Sequence, residues 1–323
     1  VSSVLILGHD DVIAALPPEE CASAMAEVLA AQARGEAQMP LRSVVRFDDA
    51  PGFMGLMPAW RGGADPVFAL KSLCVMPGNP ARGLDSHQGT VTLFDGVTGV
   101  PVAILDASAI TAVRTAAVSA VATRVLARED ARVLAILGAG VQGRAHLTAL
   151  LGVRAFDDVR IFAPNEAHAA DAAAGRASVA PSAEQAVRGA DVIVVATSSR
   201  EPVLRHLWLR PGAHVNAVGA SMPAVRELDV ATVAASAFYC DSRESLRNEA
   251  GEYQLAVKEG AIAGEAHVRG ELGEVLAGIA PGRGSHDELT VFRSLGIAVE
   301  DLAAARCAVD RARSTGIGTE VEL

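Results

Sequence analysis

The stretch ARVLAILGAGVQGRAHL, from Ala131 to Leu147, limits what this chain can fold into more than any other. An apolar run from Val133 to Leu137 stops at Gly138-Ala139-Gly140-Val141-Gln142-Gly143, and apolar residues at helical spacing follow at once. A strand, a glycine turn and a helix start in that order form the first βα unit of a doubly wound sheet. Gly138 permits the tight turn, Gly140 lets a pyrophosphate approach the backbone, and Gly143 lets the helix pack closely on the strand. The N–H groups at the helix start favour an anion, so a dinucleotide is expected over Gly138, Ala139, Gly140, Val141, Gln142 and Gly143.

Downstream the same pattern repeats. VRIFA, DVIVVAT, HVNAVGA and AFYCD alternate with Ala-rich helical stretches, and DVIVVAT lacks the polar alternation of a half-exposed strand. Strands buried on both faces belong to a parallel sheet between helix layers. Upstream, SVVRF, FMGLMP, VFALKSLCVM, GTVTLFD and PVAILD are short β-like runs broken by Gly, Pro and Asp, which predicts an antiparallel sheet. Asp95-Gly96 and Thr98-Gly99 mark a hairpin between Thr90–Phe94 and Pro101–Leu105. Pro17-Pro18-Glu19-Glu20 opens a helix, SAITAVRTAAVSAVATRVLA reads as one long helix, and residues 288–315 read as a last helix with Val299, Leu302, Ala305 and Val309 on one face. The expected fold is α/β: a Rossmann-type doubly wound parallel sheet, residues 115–289, inserted into a smaller α+β domain, residues 1–114 with 290–323.

Half of the 323 residues are hydrophobic, enough to bury the cores of two domains, and the formal net charge of -10 speaks against a nucleic-acid surface. Cys21, Cys74, Cys240 and Cys307 are scattered, with no C-x-x-C pair and no His at ligand spacing, so neither a metal site nor a disulfide framework is expected. The opening VSSVLILGHDDVIAAL reads as a strand leading into a helix rather than a leader, and the mature chain is expected to begin there. Asp106, Arg114 and Arg124 interrupt the longest apolar region. A cytoplasmic protein with no membrane partner is expected.

Two further features bear on chemistry. The strand that follows the glycine loop ends Ala163-Pro164-Asn165, with neither the carboxylate that would bind a ribose 2′-hydroxyl nor an arginine for a 2′-phosphate. The cofactor is therefore written NAD(P), leaning to NADP because Arg144 stands beside the loop. Arg42, Lys71 and Arg114 are basic residues among apolar neighbours, and a charge so placed needs a partner, structural or functional. A buried lysine has a readily shifted pKa and can exchange a proton, while arginines beside it can clamp a carboxylate.

The runs LKSLCVMPGNP, SHQGTVTLFDGVTGVPVAILDASAITAVRTAAVSAVAT, ILGAGVQG, NAVGAS and FRSLGIAVEDLAAA resemble the ornithine cyclodeaminase/mu-crystallin family over nearly the whole chain. The resemblance implies a homodimer whose sheet domain forms the subunit interface and holds the substrate, with NAD(P) on the Rossmann-type domain. It implies that Arg42, Lys71 and Arg114 hold the substrate carboxylate, with Lys71 assisting proton transfer. Leu295 and Glu249 would line the substrate site, and Ser86, Arg114, Thr115, Thr197, Val218 and Ser294 would join the glycine loop around the cofactor; Asn165 is added to them from its place at the end of the strand after the loop. Two positions depart from the cyclodeaminase pattern: Ser221 and Gly55 stand where those enzymes carry carboxylates. Serine cannot do carboxylate chemistry at neutral pH. The resemblance is therefore to the ketimine-reductase branch and implies NAD(P)H-dependent reduction of an α-imino acid, or reductive amination of the alanine-dehydrogenase type. Cyclodeaminase action on ornithine or lysine, and a cofactor-bound binding role without turnover, are the alternatives.

Overall fold

A computed structural model describes residues 3–219 and 221–322; Val1 and Ser2 of the expected first strand, Ala220 of the NAVGAS run and Leu323 lie outside the described residues. The chain divides into two compact units, one running to Arg114 and resuming at Ile297, the other from Thr115 to Gly296.

The first unit opens with β1 (Ser3–Leu7), α1 (His9–Ala15) and α2 (Pro18–Ala33), the last beginning on a proline, whose fixed φ suits a first helical turn. Then come β2 (Ala37–Gln38), β3 (Ser43–Arg46), β4 (Phe53–Arg61), β5 (Val67–Val75), β6 (His87–Asp95) and β7 (Pro101–Asp106). Strands β3 to β7 pair antiparallel, as the short runs broken by Gly, Pro and Asp predict. The expected hairpin joins β6 to β7, with Asp95 Oδ1 accepting from the Thr98 N–H at 2.7 Å and Gly99 in the left-handed region at φ 74°. Helix α3 (Ala107–Leu126) follows directly. By length and composition it could cross a membrane, contrary to the reading drawn from its charges, but 78% of its most apolar window is buried, as in a core helix.

The second unit holds β8 (Val133–Leu137), α4 (Val141–Val153), β9 (Asp158–Phe162), α5 (Glu166–Ala173), β10 (Ser178–Val179), α6 (Ala183–Val187) and β11 (Val192–Val195). It continues through β12 (His214–Ala217), α7 (Val230–Ala235), β13 (Ala237–Cys240), α8 (Arg243–Glu249), α9 (Gly251–Lys258), β14 (Val268–Glu271), α10 (Leu272–Leu276) and β15 (Thr290–Arg293). The sheet order is β10-β9-β8-β11-β12-β15-β13-β14, with every pairing parallel. Successive residues feed opposite apolar layers: Ala135, Leu137, Ile193 and Val195 on one side, Leu134, Ile136, Val192 and Val194 on the other. That is why these strands read as unbroken apolar runs.

Residues 290–296 correct the expected boundary. Thr290–Arg293 is a fully buried strand between β12 and β13 rather than the start of the last helix. Four residues carry too short a period to separate strand from helix in sequence. The last helix, α11 (Ala298–Thr315), returns to the first unit and buries the predicted face of Val299, Leu302, Ala305 and Val309. It ends at Gly316, φ 72°. An unforeseen strand, β16 (Thr319–Glu322), then pairs antiparallel with β1, giving the first sheet the order β16-β1-β7-β6-β5-β4-β2 with β3 also on β4. All four of its residues are exposed, so it has no apolar period to betray it. The opening strand β1 joins this sheet through a parallel pairing with β7.

A buried carboxylate anchors the start of the second sheet. Asp191, 4% exposed, accepts from the N–H groups of Arg132 and Val133 at 2.8 and 3.0 Å and pairs with Arg128 and Arg210. Removing one partner strands buried charge, so Asp191→Ala should cost about 3 kcal/mol or more. Urea denaturation checks this, and an unchanged midpoint would contradict the assignment.

Candidate functional site

In the first unit a cluster of charges is buried against α11. Lys71 is directly opposite Met57 and Val91 in the sheet and shares its face with the buried Val67, Ala69 and Leu73. It is 2% exposed. Its Nζ donates to Thr111 Oγ1 of α3 at 2.6 Å and to Asp301 Oδ1 of α11 at 3.1 Å. Arg114, three residues after Thr111 and so on the same helical face, donates from Nε to that Asp301 oxygen at 2.9 Å and from Nη1 to Glu300 Oε2 at 2.8 Å. Arg42 lies half-buried just before β3, near enough for its charge to act on Lys71. Three cations, Arg42, Lys71 and Arg114, face two carboxylates, Glu300 and Asp301.

The titration of this cluster follows from its burial. Desolvation lowers the Lys71 ammonium to about 8; Asp301 works against that shift, and Arg114 and Arg42 add to it. Burial raises Asp301, but Arg114 and then Lys71 outweigh it and hold the carboxyl below the ordinary carboxylate range. His87, the first residue of β6, is held below the usual imidazole value by burial and then by Lys71, so it is neutral at pH 7. Lys71 thus keeps its proton at neutral pH and can release it at modest cost. Ser86, half-buried, lies 3.0 Å from the His87 ring through its hydroxyl.

The second unit forms an anion cradle at the glycine loop. Gly138 has φ 118°, and a Cβ there would lie 2.2 Å from the Ala196 carbonyl at the end of β11. A Cβ at Gly143 would lie 2.1 Å from the Gly138 carbonyl, whereas one at Gly140 would meet nothing within 4 Å. Gly138 and Gly143 are thus required by packing, and Gly140 leaves the approach to the α4 terminus open. That helix has no side-chain cap and no acidic residue in its first turn, whereas α5, α6, α7 and α8 are capped by Asn165, Ser182, Asp229 and Ser242. Uncapped N–H groups and helix polarity there suit a phosphate. The residues present fit a dinucleotide.

The other expected cofactor positions divide between the sheet ends and elsewhere. Thr197, Val218 and Ser294 follow the C-terminal ends of β11, β12 and β15, which are neighbours in the sheet, and Leu295 lies next to Ser294. Ala139, Val141 and Gln142 lie in or just after the glycine turn, and Thr115 is 7% exposed on α3. Glu249 is 8% exposed at the end of α8, not a surface carboxylate. Asn165 stands at the end of β9, but its side-chain oxygen accepts from the His168 N–H at 3.1 Å as a helix cap. Arg144 is exposed and paired with Asp171 at 2.7 Å, which weakens the argument that it reads a cofactor phosphate.

Several residues of these sites escaped the reading of the sequence. Glu300 and Asp301 are buried beside the apolar Val299 and Leu302, the same signal of charge in apolar surroundings that exposed Lys71. Glu227 is fully buried in a segment without periodicity, which gave no signal. Among the described residues no group of three His, Cys, Asp or Glu could hold a metal ion, and the four cysteines form no disulfide.

The model of the ornithine cyclodeaminase/mu-crystallin family matches residues 4–316. The chain is 40% identical to the ketimine reductase mu-crystallin of Mus musculus over 280 residues, 85% of this chain and 86% of the relative. The structure of Thermococcus litoralis Δ(1)-pyrroline-2-carboxylate reductase in complex with NADH and L-proline is similar at TM-score 0.93 and 35% identity, covering 98% of this chain and 100% of the other. An archaeal alanine dehydrogenase dimer with bound NAD is similar at TM-score 0.93 and 34% identity, with 100% of both chains covered.

The shared carboxylate gives a test that needs no substrate. The sequence holds two lysines, Lys71 and Lys258, so lysine labelled with ¹³C at Cε gives two resolvable signals. Asp301→Asn removes a charge that raises Lys71, and the Lys71 signal should then titrate below its wild-type value of about 8. A titration at or above the wild-type value would break the proposed coupling.

Proposed function

The chain belongs to the ornithine cyclodeaminase/mu-crystallin family, and we propose that within it this protein reduces an α-imino acid with NAD(P)H. The substrate is a cyclic ketimine of the pyrroline-2-carboxylate or piperideine-2-carboxylate type, or the imine formed from an oxo acid and ammonia. The observation that carries this reading is the buried Lys71 ammonium, bonded to Thr111 and Asp301 and flanked by Arg114.

Arg42 and Arg114 bind the substrate carboxylate, and the guanidinium of Arg114 is already oriented by its bonds to Glu300 and Asp301. This fixes the substrate before reaction, which is where much of the rate advantage of an enzyme arises. Lys71 gives a proton to the imine nitrogen, which makes the adjacent carbon electrophilic. NAD(P)H, when bound at the glycine loop, would supply the hydride that, with this proton, makes the amine. Thr111 and Asp301 accept hydrogen bonds from Nζ and hold the donor in place. Ser221, exposed after β12, and Gly55 on β4 offer no carboxylate for a deamination. With no carboxylate at Asn165 to repel a 2′-phosphate, NADPH is used as well as NADH.

The outer face of the first sheet supports a homodimer. Met54, Leu56 and Trp60 of β4 and Phe68 and Leu70 of β5 lie on the face away from Lys71, exposed or half-buried. The rings of Trp60 and Phe68 are 4.3 Å apart. A second copy of the same face would cover this apolar surface.

With NADH or NADPH and either cyclic imine, or with pyruvate and ammonia, the protein should oxidise the cofactor, and Lys71→Met should lower kcat about 10³-fold. Because the protonated lysine is the donor, the reduction rate should fall as pH rises through about 8. Release of ammonia from ornithine with no net change in cofactor oxidation state would refute this reading. Leu70→Asp should shift sedimentation from dimer to monomer, and a wild-type monomer would remove the proposed interface.

A further inference from the structure

Glu227 lies between β12 and α7, is fully buried, and joins the ends of two strands. Its Oε1 accepts from the Thr197 N–H at 2.6 Å and the Thr197 hydroxyl at 2.9 Å, while Oε2 accepts from the Gly219 N–H at 2.7 Å. Its own carbonyl accepts from the N–H groups of Val203 and Leu204 at 2.9 and 3.0 Å, so the backbone behind the carboxylate is pinned as well. The two segments close tightly around it: a Cβ at Gly219 would lie 2.0 Å from the Thr197 carbonyl and 2.5 Å from Glu227 Oε1.

In a doubly wound sheet the ligand lies outside the C-terminal strand ends, one mononucleotide half on β8-β9-β10 and the other on β11-β12-β15. The glycine loop shapes the first half. No glycine loop follows β11, and there the spacing between strand ends is set by a side chain. We infer that Glu227 is a positioning residue for the nicotinamide half of the bound dinucleotide, holding the segments after β11 and β12 at the separation that half requires. The inference rests on the dinucleotide reading proposed above.

The surroundings of the carboxylate make this hold sensitive to pH. Arg293 of β15 and Glu252 of α9, a fully buried ion pair, both act on Glu227 through their charge. Arg293 Nη1 also donates to the carbonyls of Ala217 and Ser294, both at 2.9 Å, so it braces the same C-terminal strand ends. Burial raises Glu227 to about 7, against the lowering effect of Arg293 and of the Thr197 N–H, with Glu252 adding to the rise. When the carboxyl is protonated it has one acceptor oxygen fewer for its two straps. The hold is complete above pH 7 and is lost as pH falls through it.

Glu227→Gln keeps the side-chain size but turns an amide NH₂ toward a backbone N–H at one strap, donor against donor. Fluorescence titration with NADH and with NADPH reads the result. The wild-type Kd should rise as pH falls from 8 to 6, and the variant at pH 8 should bind about tenfold more weakly, with a flat profile over that range. A merely structural role would lower Tm and leave the pH profile of binding in place. Wild-type affinity and an unaltered profile in a folded Glu227→Gln protein would overturn the inference. If circular dichroism shows that the variant does not fold, a wild-type affinity flat from pH 6 to 8 overturns it. Failure of the wild type to bind either dinucleotide would overturn the parent reading together with this one.

Discussion

One oxygen, Oδ1 of Asp301, accepts from both the Lys71 ammonium and the Arg114 guanidinium, and the first unit is arranged around it. Two cations this close and this dry repel each other and lose their hydration, and the fixed anion between them offsets that cost. The three groups come from β5, α3 and α11, and Asp301 lies 230 residues after Lys71. The carboxylate therefore requires the chain to come back after completing another unit. The return of α11 is an electrostatic necessity for the site as much as a packing convenience. It also explains why the first turn of α11 carries Glu300 and Asp301 on its buried side, where a helix of this kind usually presents only apolar residues.

How much of this could be read beforehand depends on whether a residue contradicts its local surroundings. Lys71 and Arg114 stand out because a charge interrupts an apolar strand and an apolar helix, and the glycine loop stands out because its spacing has a steric reason that the structure reproduces at Gly138 and Gly143. β15 was lost because four residues cannot display a period, and β16 because its exposed TEVE sequence has no apolar face. Glu300 and Asp301 carry the same signal beside Val299 and Leu302, but α11 also bears the exposed Asp310, so acids in this helix do not by themselves mark a site. Glu227 could not be found at all, since its importance lies in two backbone N–H groups that no side-chain pattern encodes. Arg144 points the other way: its place beside the loop suggested a ligand, but tertiary packing gave it Asp171.

Gly55 shows that a missing carboxylate need not be a packing constraint. A Cβ there would meet only the Leu73 side chain, at 3.7 Å, an ordinary contact. The backbone of β4 could carry a larger residue, so the lack of an acid at this point is a chemical property of the site rather than a steric one. Gly55 shares the face of the sheet that carries Lys71 and adds no carboxylate there, which suits a reaction in which the protein delivers a proton to nitrogen.

The way the first sheet ends has a consequence for how copies of the chain can meet. A sheet edge exposes unpaired N–H and C=O groups and invites another strand to continue it, unless the edge is short or charged. Here one edge is β16, whose four residues include Glu320 and Glu322, and the opposite end is closed by strands of two and four residues. Two acidic edges repel, and a two-residue strand offers too little ladder to extend. Growth into an open-ended β-stack is blocked in both directions, so the apolar broad side can be sticky without making the chain prone to fibres.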